Sequence, residues 1–236
     1  MTVRAVVFDW GGTLTPWHTV ELAECWRACG FDDEAGKRLL AAEEAVWRRA
    51  RETGESGTID EVFAAAGVGA GPAELAAYYA WWEDHTFTDP DVRPLFLALR
   101  ERGIGIGVLS NTLWPRTEHE RVFRRDGVDD LVDAAVYTSE IEYTKPHPAA
   151  FRAALDAVGV ADPAAAVFVG DRPWDDIVGA QAVGMRAVLI PHSDIPAYQV
   201  GGTLTAPDAV VQRLSELLPL VDDWNRDAGC PEPPQA

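Results

Sequence analysis

Lysine is nearly absent from this chain: two of 236 residues, Lys37 and Lys145, against eighteen arginines. With abundant Ala, Gly and Pro, the imbalance reads as drift toward G+C-rich codons, so each surviving lysine carries more information than usual. Positive charge as a whole is scarce, 20 Lys and Arg against 38 Asp and Glu, for a formal net charge of −18. Nucleic acids and anionic membrane surfaces are bound through a basic footprint that this chain lacks. An anionic substrate would need a local cation to neutralise it. Cysteine is scarce too: Cys25, Cys29 and Cys230 are an odd number, which excludes an even disulfide framework. Cys25 and Cys29, one helical turn apart, lack the partner pair that a zinc site needs. No apolar run approaches membrane-spanning length, and Met1 to Val7 lacks the pattern of a signal peptide. The expectation is a cytoplasmic soluble protein with neither a nucleic-acid nor a membrane partner.

What is abundant is core material. A hydrophobic content of 47% over 236 residues suffices for one large α/β domain and a smaller insert. Short β-rich runs recur at Val3 to Phe8, Ile104 to Leu109, Ala165 to Val169 and Ala187 to Ile190, with a weaker one at Ala134 to Tyr137. Each is bounded by Gly, Asp or Ser and followed by a helical pattern, the signature of a parallel sheet covered on both faces. The fold class is therefore doubly wound α/β. Apolar residues at helical spacing (Val92, Leu95, Phe96, Leu99; Phe151, Ala154, Leu155, Val158; Val210, Leu214, Leu217, Leu218) predict core-facing helices.

The stretch 15–88 breaks the β-α alternation and reads as helices only. Leu39, Ala42, Val46 and Trp47 share one face, Leu75, Tyr78, Tyr79 and Trp82 another, and Thr58 with Glu61 forms a capping-box pattern. The expected organisation is a core of residues 1–14 and 89–224, a helical cap of residues 15–88, and a Gly- and Pro-rich disordered tail of residues 225–236.

Four strand ends carry chemistry. The first reads Phe8-Asp9-Trp10-Gly11-Gly12-Thr13-Leu14; a carboxylate at the C-terminal edge of the first parallel strand sits where open α/β sheets bind ligands. Asp9 could attack phosphorus, and Gly12 with Thr13 lets backbone approach an oxyanion. The second, Ser110-Asn111-Thr112, offers a hydroxyl and backbone N–H groups near a helix start. Lys145, in Tyr143-Thr144-Lys145-Pro146, presents a compact cation that can neutralise phosphate and shield Asp9. The fourth, Gly170-Asp171-Arg172-Pro173-Trp174-Asp175-Asp176, clusters carboxylates of the kind Mg2+ selects. Taken singly, each motif also fits a turn cap, a helix start, a surface lysine or an acidic helix N-terminus. Four in this order, each at the end of an apolar strand, share no such explanation.

In these four motifs the chain resembles the haloacid dehalogenase-like hydrolases, matching at Asp9, Ser110, Lys145 and Asp171 with Asp176. The resemblance spans Val3 to about Leu218. It implies a Rossmann-like core, a helical cap placed after the first motif and an aspartyl-enzyme intermediate. For the phosphatase majority it also implies Mg2+ held by the nucleophile Asp9, the backbone carbonyl of Gly11, and Asp171 with Asp176. Gly11 is the departure: family phosphatases usually carry Asp there as proton donor and water activator. Three kinds of relative dispense with it. Haloacid dehalogenases do, but lack the Gly-Asp cluster of the fourth motif. Phosphonatases use a cap lysine, for which Lys37 is the one candidate, in a helix whose solvated face explains it better. A third subgroup, similar to α-glucose-1-phosphate phosphatases, carries Gly and retains activity.

The expectation is a Mg2+-dependent phosphatase of a small phosphorylated metabolite, monomeric or homodimeric. Carbon–phosphorus or carbon–halogen hydrolysis is the first alternative, and a binding or regulatory protein without turnover the second. Trp17 and His18, where the chain leaves the core for the cap, are expected to contact substrate. Trp26, Trp47 and Arg48 are further residues that could line the closure.

Overall fold

A computed structural model describes residues 2–194 and 201–229. In chain order its elements are β1 (Ala5–Phe8), α1 (Leu22–Ala28), α2 (Asp33–Thr53), α3 (Ile59–Ala66), α4 (Pro72–Trp82), α5 (Val92–Glu101), β2 (Gly105–Ser110), α6 (Arg116–Arg125), β3 (Ala134–Tyr137), α7 (Pro148–Ala157), β4 (Ala166–Gly170), α8 (Gly179–Ala182), β5 (Arg186–Leu189), β6 (Ala209–Val210) and α9 (Leu217–Gly229). The strands form one parallel sheet in the order β3-β2-β1-β4-β5-β6. This is an α/β Rossmann-like architecture, as the alternation of apolar strands and helices implies.

The sheet buries both faces, and the period of two along each strand sorts its residues between them. Val6, Phe8, Val167 and Val169 join one apolar cluster with α5 and α9, while Ala5, Val7, Ala166 and Phe168 join another with α7 and α8. Between Thr15 and Thr88 the described elements are helical. Their buried residues Trp26, Leu39, Val46, Val62, Phe63 and Tyr78 belong to the same cluster as Val6 and Phe8, bridged by Trp10, Leu14 and Trp114. Asp32 caps α2 by accepting from the Ala35 N–H at 2.8 Å, and Gly54, at φ 77°, ends it.

Three expectations are corrected. Val210 does not belong to a helical stripe: it lies in β6, which pairs with β5 (Val188 with Ala209, Leu189 with Val210), and α9 begins only at Leu217. Two residues are too few to carry a strand pattern. The tail does not become irregular at Asn225, because α9 runs on to Gly229 and the Asn225 side chain accepts from the Val3 N–H at 2.7 Å. The rest of that expected tail, residues 230–236, lies outside the described residues. The capping box is half formed: Thr58 Oγ1 accepts from the Glu61 N–H at 3.2 Å, but the Glu61 carboxylate is drawn to the Arg49 guanidinium instead.

Candidate active site

Because β2, β1 and β4 are adjacent and parallel, with Phe8 in register with Val108 and Val169, their C-terminal ends emerge at one edge. Asp9 follows β1 directly, Ser110 ends β2, and Asp171 follows β4; all are buried. Lys145 reaches the same edge from the loop before α7. Its backbone is clamped by Asn111, whose Oδ1 accepts from the Lys145 N–H at 2.8 Å and whose Nδ2 donates to the Lys145 carbonyl at 3.0 Å. The Asn111 amide is thus engaged in holding Lys145, a use the sequence did not announce.

The Lys145 ammonium lies 2.7 Å from Asp9 Oδ1 and 2.7 Å from Asp176 Oδ1. Asp176 Oδ2 accepts from the Arg172 N–H at 2.8 Å, so both of its oxygens are engaged. Asp171 differs. Its Oδ1 accepts from the Thr13 hydroxyl at 3.2 Å, while Oδ2 is buried, lies 3.9 Å from Arg172 Nε and has no hydrogen-bond partner among the described residues. Asp9, Asp171 and Asp176 each offer an oxygen within 4.8 Å of one another. Asp175, by contrast, turns away toward α2 and is held by Arg51.

Three buried carboxylates around one ammonium leave negative charge in excess. Burial alone would lower the Lys145 pKa, but Asp176 and Asp9 overcome it and the net shift is upward, so the lysine is a fixed cation. Burial raises Asp176 to about 6, with Lys145 opposing and Asp9 reinforcing the shift. Asp171 is pushed well above the usual carboxylate range, first by burial and then by the charges of Asp9 and Asp176; Arg172 and the Ser193 hydroxyl oppose this. A cluster that resists full ionisation, with one orphaned carboxylate oxygen, is a donor set that fits a hard divalent cation with oxygen ligands.

The glycines play opposite parts. Gly12 has φ 84°, and a Cβ there would lie 2.7 Å from Asp171 Oδ2 and 2.3 Å from Ser193 Oγ. Any side chain would intrude on the carboxylate cluster. At Gly11 a Cβ would meet nothing within 4 Å, so the position that lacks a carboxylate has room for one.

Above this edge lies a cavity of about 400 Å³ between the sheet and the helices, lined by Gly11, Gly12 and Asn111 at one end. Trp17, His18 and Trp47 line it. Trp26 does not: it is fully buried, stacked on Tyr78 with centroids 5.1 Å apart. Arg48 pairs with Glu44 on the exposed side of α2. Lys37 is solvent-exposed, 2.7 Å from Glu34 on the surface of α2, and is not among the cavity-lining residues. Sequence reasoning overlooked Trp10, Glu43 and Arg172, which line the cavity, and Ser193 beside Asp171. Arg172 adjoins the fourth motif and was available to a reader of that motif; Glu43, in a charged helix, gave no signal.

Residues 3–184 match the family model of the haloacid dehalogenase-like hydrolases. The glyceraldehyde 3-phosphate phosphatase of Methanopyrus kandleri is 31% identical over 237 residues, 95% of this chain and 100% of its own length. Among solved structures, a phosphatase of the family from Thermococcus onnurineus superposes with a TM-score of 0.68 at 24% identity, covering 93% of this chain and 98% of its own. An L-2-haloacid dehalogenase superposes with a TM-score of 0.65 at 25% identity, covering 94% and 100%. With a family match across most of its length and an aspartate at the end of the first strand held by a buried lysine, the chain belongs to the haloacid dehalogenase-like hydrolases.

Proposed function

We propose that this hydrolase is a Mg2+-dependent phosphatase acting on a small phosphorylated metabolite, with Asp9 as nucleophile. The observation that carries the reading is the pairing of Asp9 with a buried lysine whose pKa is shifted upward, beside an Asp171 oxygen that has no hydrogen-bond partner among the described residues. Similarity to a phosphatase over 95% of the chain supports it.

In this reading an Asp9 carboxylate oxygen forms a bond to phosphorus as the bond from phosphorus to the leaving oxygen breaks, giving an aspartyl phosphate. Water then cleaves that intermediate and releases inorganic phosphate. Lys145 steadies Asp9 and neutralises phosphoryl charge. Ser110 and the backbone at Gly12 and Thr13 cradle the phosphoryl oxygens. Asp171, with Asp9 and the Gly11 carbonyl, would hold Mg2+, and Asp176 anchors Lys145 next to them. Mg2+, when bound, supplies charge neutralisation at the transferring group. No side chain at position 11 protonates the departing oxygen, so substrates with good leaving groups are favoured.

The test is single-turnover hydrolysis of p-nitrophenyl phosphate and a panel of phosphorylated metabolites, with and without Mg2+, beside 2-haloacids and phosphonoacetaldehyde. Phosphate release that requires Mg2+ and disappears in a folded Asp9→Asn variant is expected. Near-wild-type turnover by Asp9→Asn, or EDTA-insensitive dehalogenation, would sink the proposal.

A further inference from the structure

The cavity wall carries a carboxylate that the proposed chemistry does not use. Glu43, on α2, lines the cavity together with Trp10, Trp17, Trp47, Tyr78, Trp82 and Trp114. Its Oε2 is buried and has no hydrogen-bond partner among the described residues. Burial pushes the carboxyl up to about 7, an effect the Trp47 indole opposes only in part. Burial holds the Tyr78 phenol well above its ordinary range against the opposing Trp114 hydrogen bond, and the hydrogen bond with Cys29, then burial, pushes the Cys25 thiol up; neither offers positive charge. Arg172 is the sole Lys or Arg among the lining residues, and it is engaged by Asp171, Asp175 and the Trp17 ring. His18 and His85 face one another at 5.6 Å between centroids.

A carboxylate with one unbonded oxygen in a largely aromatic wall, where Asp194 is the other acidic lining residue, is poorly matched to a neutral apolar group, which would leave that oxygen desolvated and unpaired. A second anion would be repelled. A positively charged nitrogen satisfies both features at once, since it pairs with the carboxylate and is attracted to the negative faces of indole and phenol rings. A cavity of about 400 Å³ has room for a small leaving group bearing such a nitrogen.

We infer that Glu43 and the surrounding aromatic rings form a subsite for a cationic nitrogen, so that the substrates are phosphate esters of small amino or quaternary ammonium alcohols, whose neighbouring positive charge makes the departing oxygen a better leaving group than that of a simple alkyl ester. The phosphate end of this inference rests on the phosphatase reading; the cation end does not. Glu43 contacts the leaving group's nitrogen and sets specificity without taking part in the bond-breaking step.

The test pairs a cation with its uncharged isostere. Choline and 3,3-dimethyl-1-butanol are titrated against the full chain at pH 8 by tryptophan fluorescence, and their phosphate esters are compared for kcat/KM with Mg2+. The cation is expected to bind, and its ester to be hydrolysed, about tenfold or more better than the isostere. Glu43→Gln should bring both ratios close to one, and Glu43→Asp, which keeps the charge, should restore part of the preference. Circular dichroism melts establish that each variant is folded. Choline binding with Glu43-dependent preference but no ester turnover leaves the subsite standing and defeats the phosphatase reading. Equal handling of the two probes, preference for the neutral one, or binding of neither overturns the subsite, whatever the turnover of p-nitrophenyl phosphate.

Discussion

Arg51 and Asp175, 124 positions apart in sequence, meet in a two-pronged ion pair: Nη1 to Oδ1 at 2.6 Å and Nη2 to Oδ2 at 3.0 Å. Arg51 belongs to α2 and Asp175 to the turn that follows β4, so the pair ties the helices over the cavity to the turn that supplies Asp176. The Asp175 side chain is 2% exposed and that of Arg51 20%, and a bidentate guanidinium fixes direction as well as distance.

Removing one partner leaves the other desolvated, which costs more than removing both. Asp175→Asn and Arg51→Met are each expected to lower unfolding stability by about 1–3 kcal/mol, and the double variant by less than the sum of the two. A double-mutant cycle in urea measures this; strict additivity would mean that the pair contributes no coupling.

Gly11 makes the converse prediction, because a Cβ there meets nothing within 4 Å. Gly11→Asp is expected to fold and to raise turnover of esters with poor leaving groups by about 10- to 100-fold, with little gain for p-nitrophenyl phosphate. The wild type should show a steep dependence of single-turnover rate on leaving-group pKa, and the variant a flatter one. Parallel slopes would place the proton donor elsewhere, in the cavity or on the substrate.

Metal binding should be visible without any reaction. Mg2+ is expected to raise the melting temperature of the wild type in a concentration-dependent way and to leave that of Asp171→Asn unmoved, since Asp171 holds the orphaned oxygen. Asp176→Asn should instead retain a weakened response, because both Asp176 oxygens are engaged by Lys145 and the Arg172 N–H. Equal responses from the two variants would refute this division of labour.

Glu43 predicts a pH dependence of stability. Its folded-state pKa of about 7 lies above the ordinary 4.5, so the folded protein favours the protonated form. The associated stabilisation is complete below about 4.5 and is lost as pH rises through about 7. Relative to Glu43→Gln, the wild type should therefore lose stability between pH 5 and pH 8, by about 1 kcal/mol given that the side chain is partly exposed. Denaturant midpoints of both proteins at the two pH values test the sign; a difference that grows in the wild type's favour would contradict the burial of this carboxyl.

The polar edge of the sheet was legible in sequence because each of Asp9, Ser110 and Asp171 ends a run of residues buried on both faces, where local pattern and tertiary position coincide. Lys145 stood out through composition. Glu43 was not legible, since Ala41-Ala42-Glu43-Glu44 reads as an ordinary helix surface; the cavity it lines exists only because other segments bring Trp17 and Trp82 to the same space. The resemblance singled out Asp176 over its neighbour Asp175, but local chemistry did not show their destinations: the turn after β4 sends Asp176 to Lys145 and Asp175 to Arg51. The direction of Asn111 toward the Lys145 backbone is likewise a product of loop geometry rather than of any spacing.

The apolar cluster that runs from Val6 and Phe8 through Trp10 and Trp114 to Tyr78 and Trp26 has a thermodynamic consequence. Melting the helices alone would expose the aromatic flank of the first strand to water, and melting the sheet alone would strip the helices of the surface they rest on. Only the cluster on the far face of the sheet, with α7 and α8, belongs to one half alone. Heat should therefore take this chain apart in one step, with calorimetric and van't Hoff enthalpies in agreement, despite the two architectures it contains.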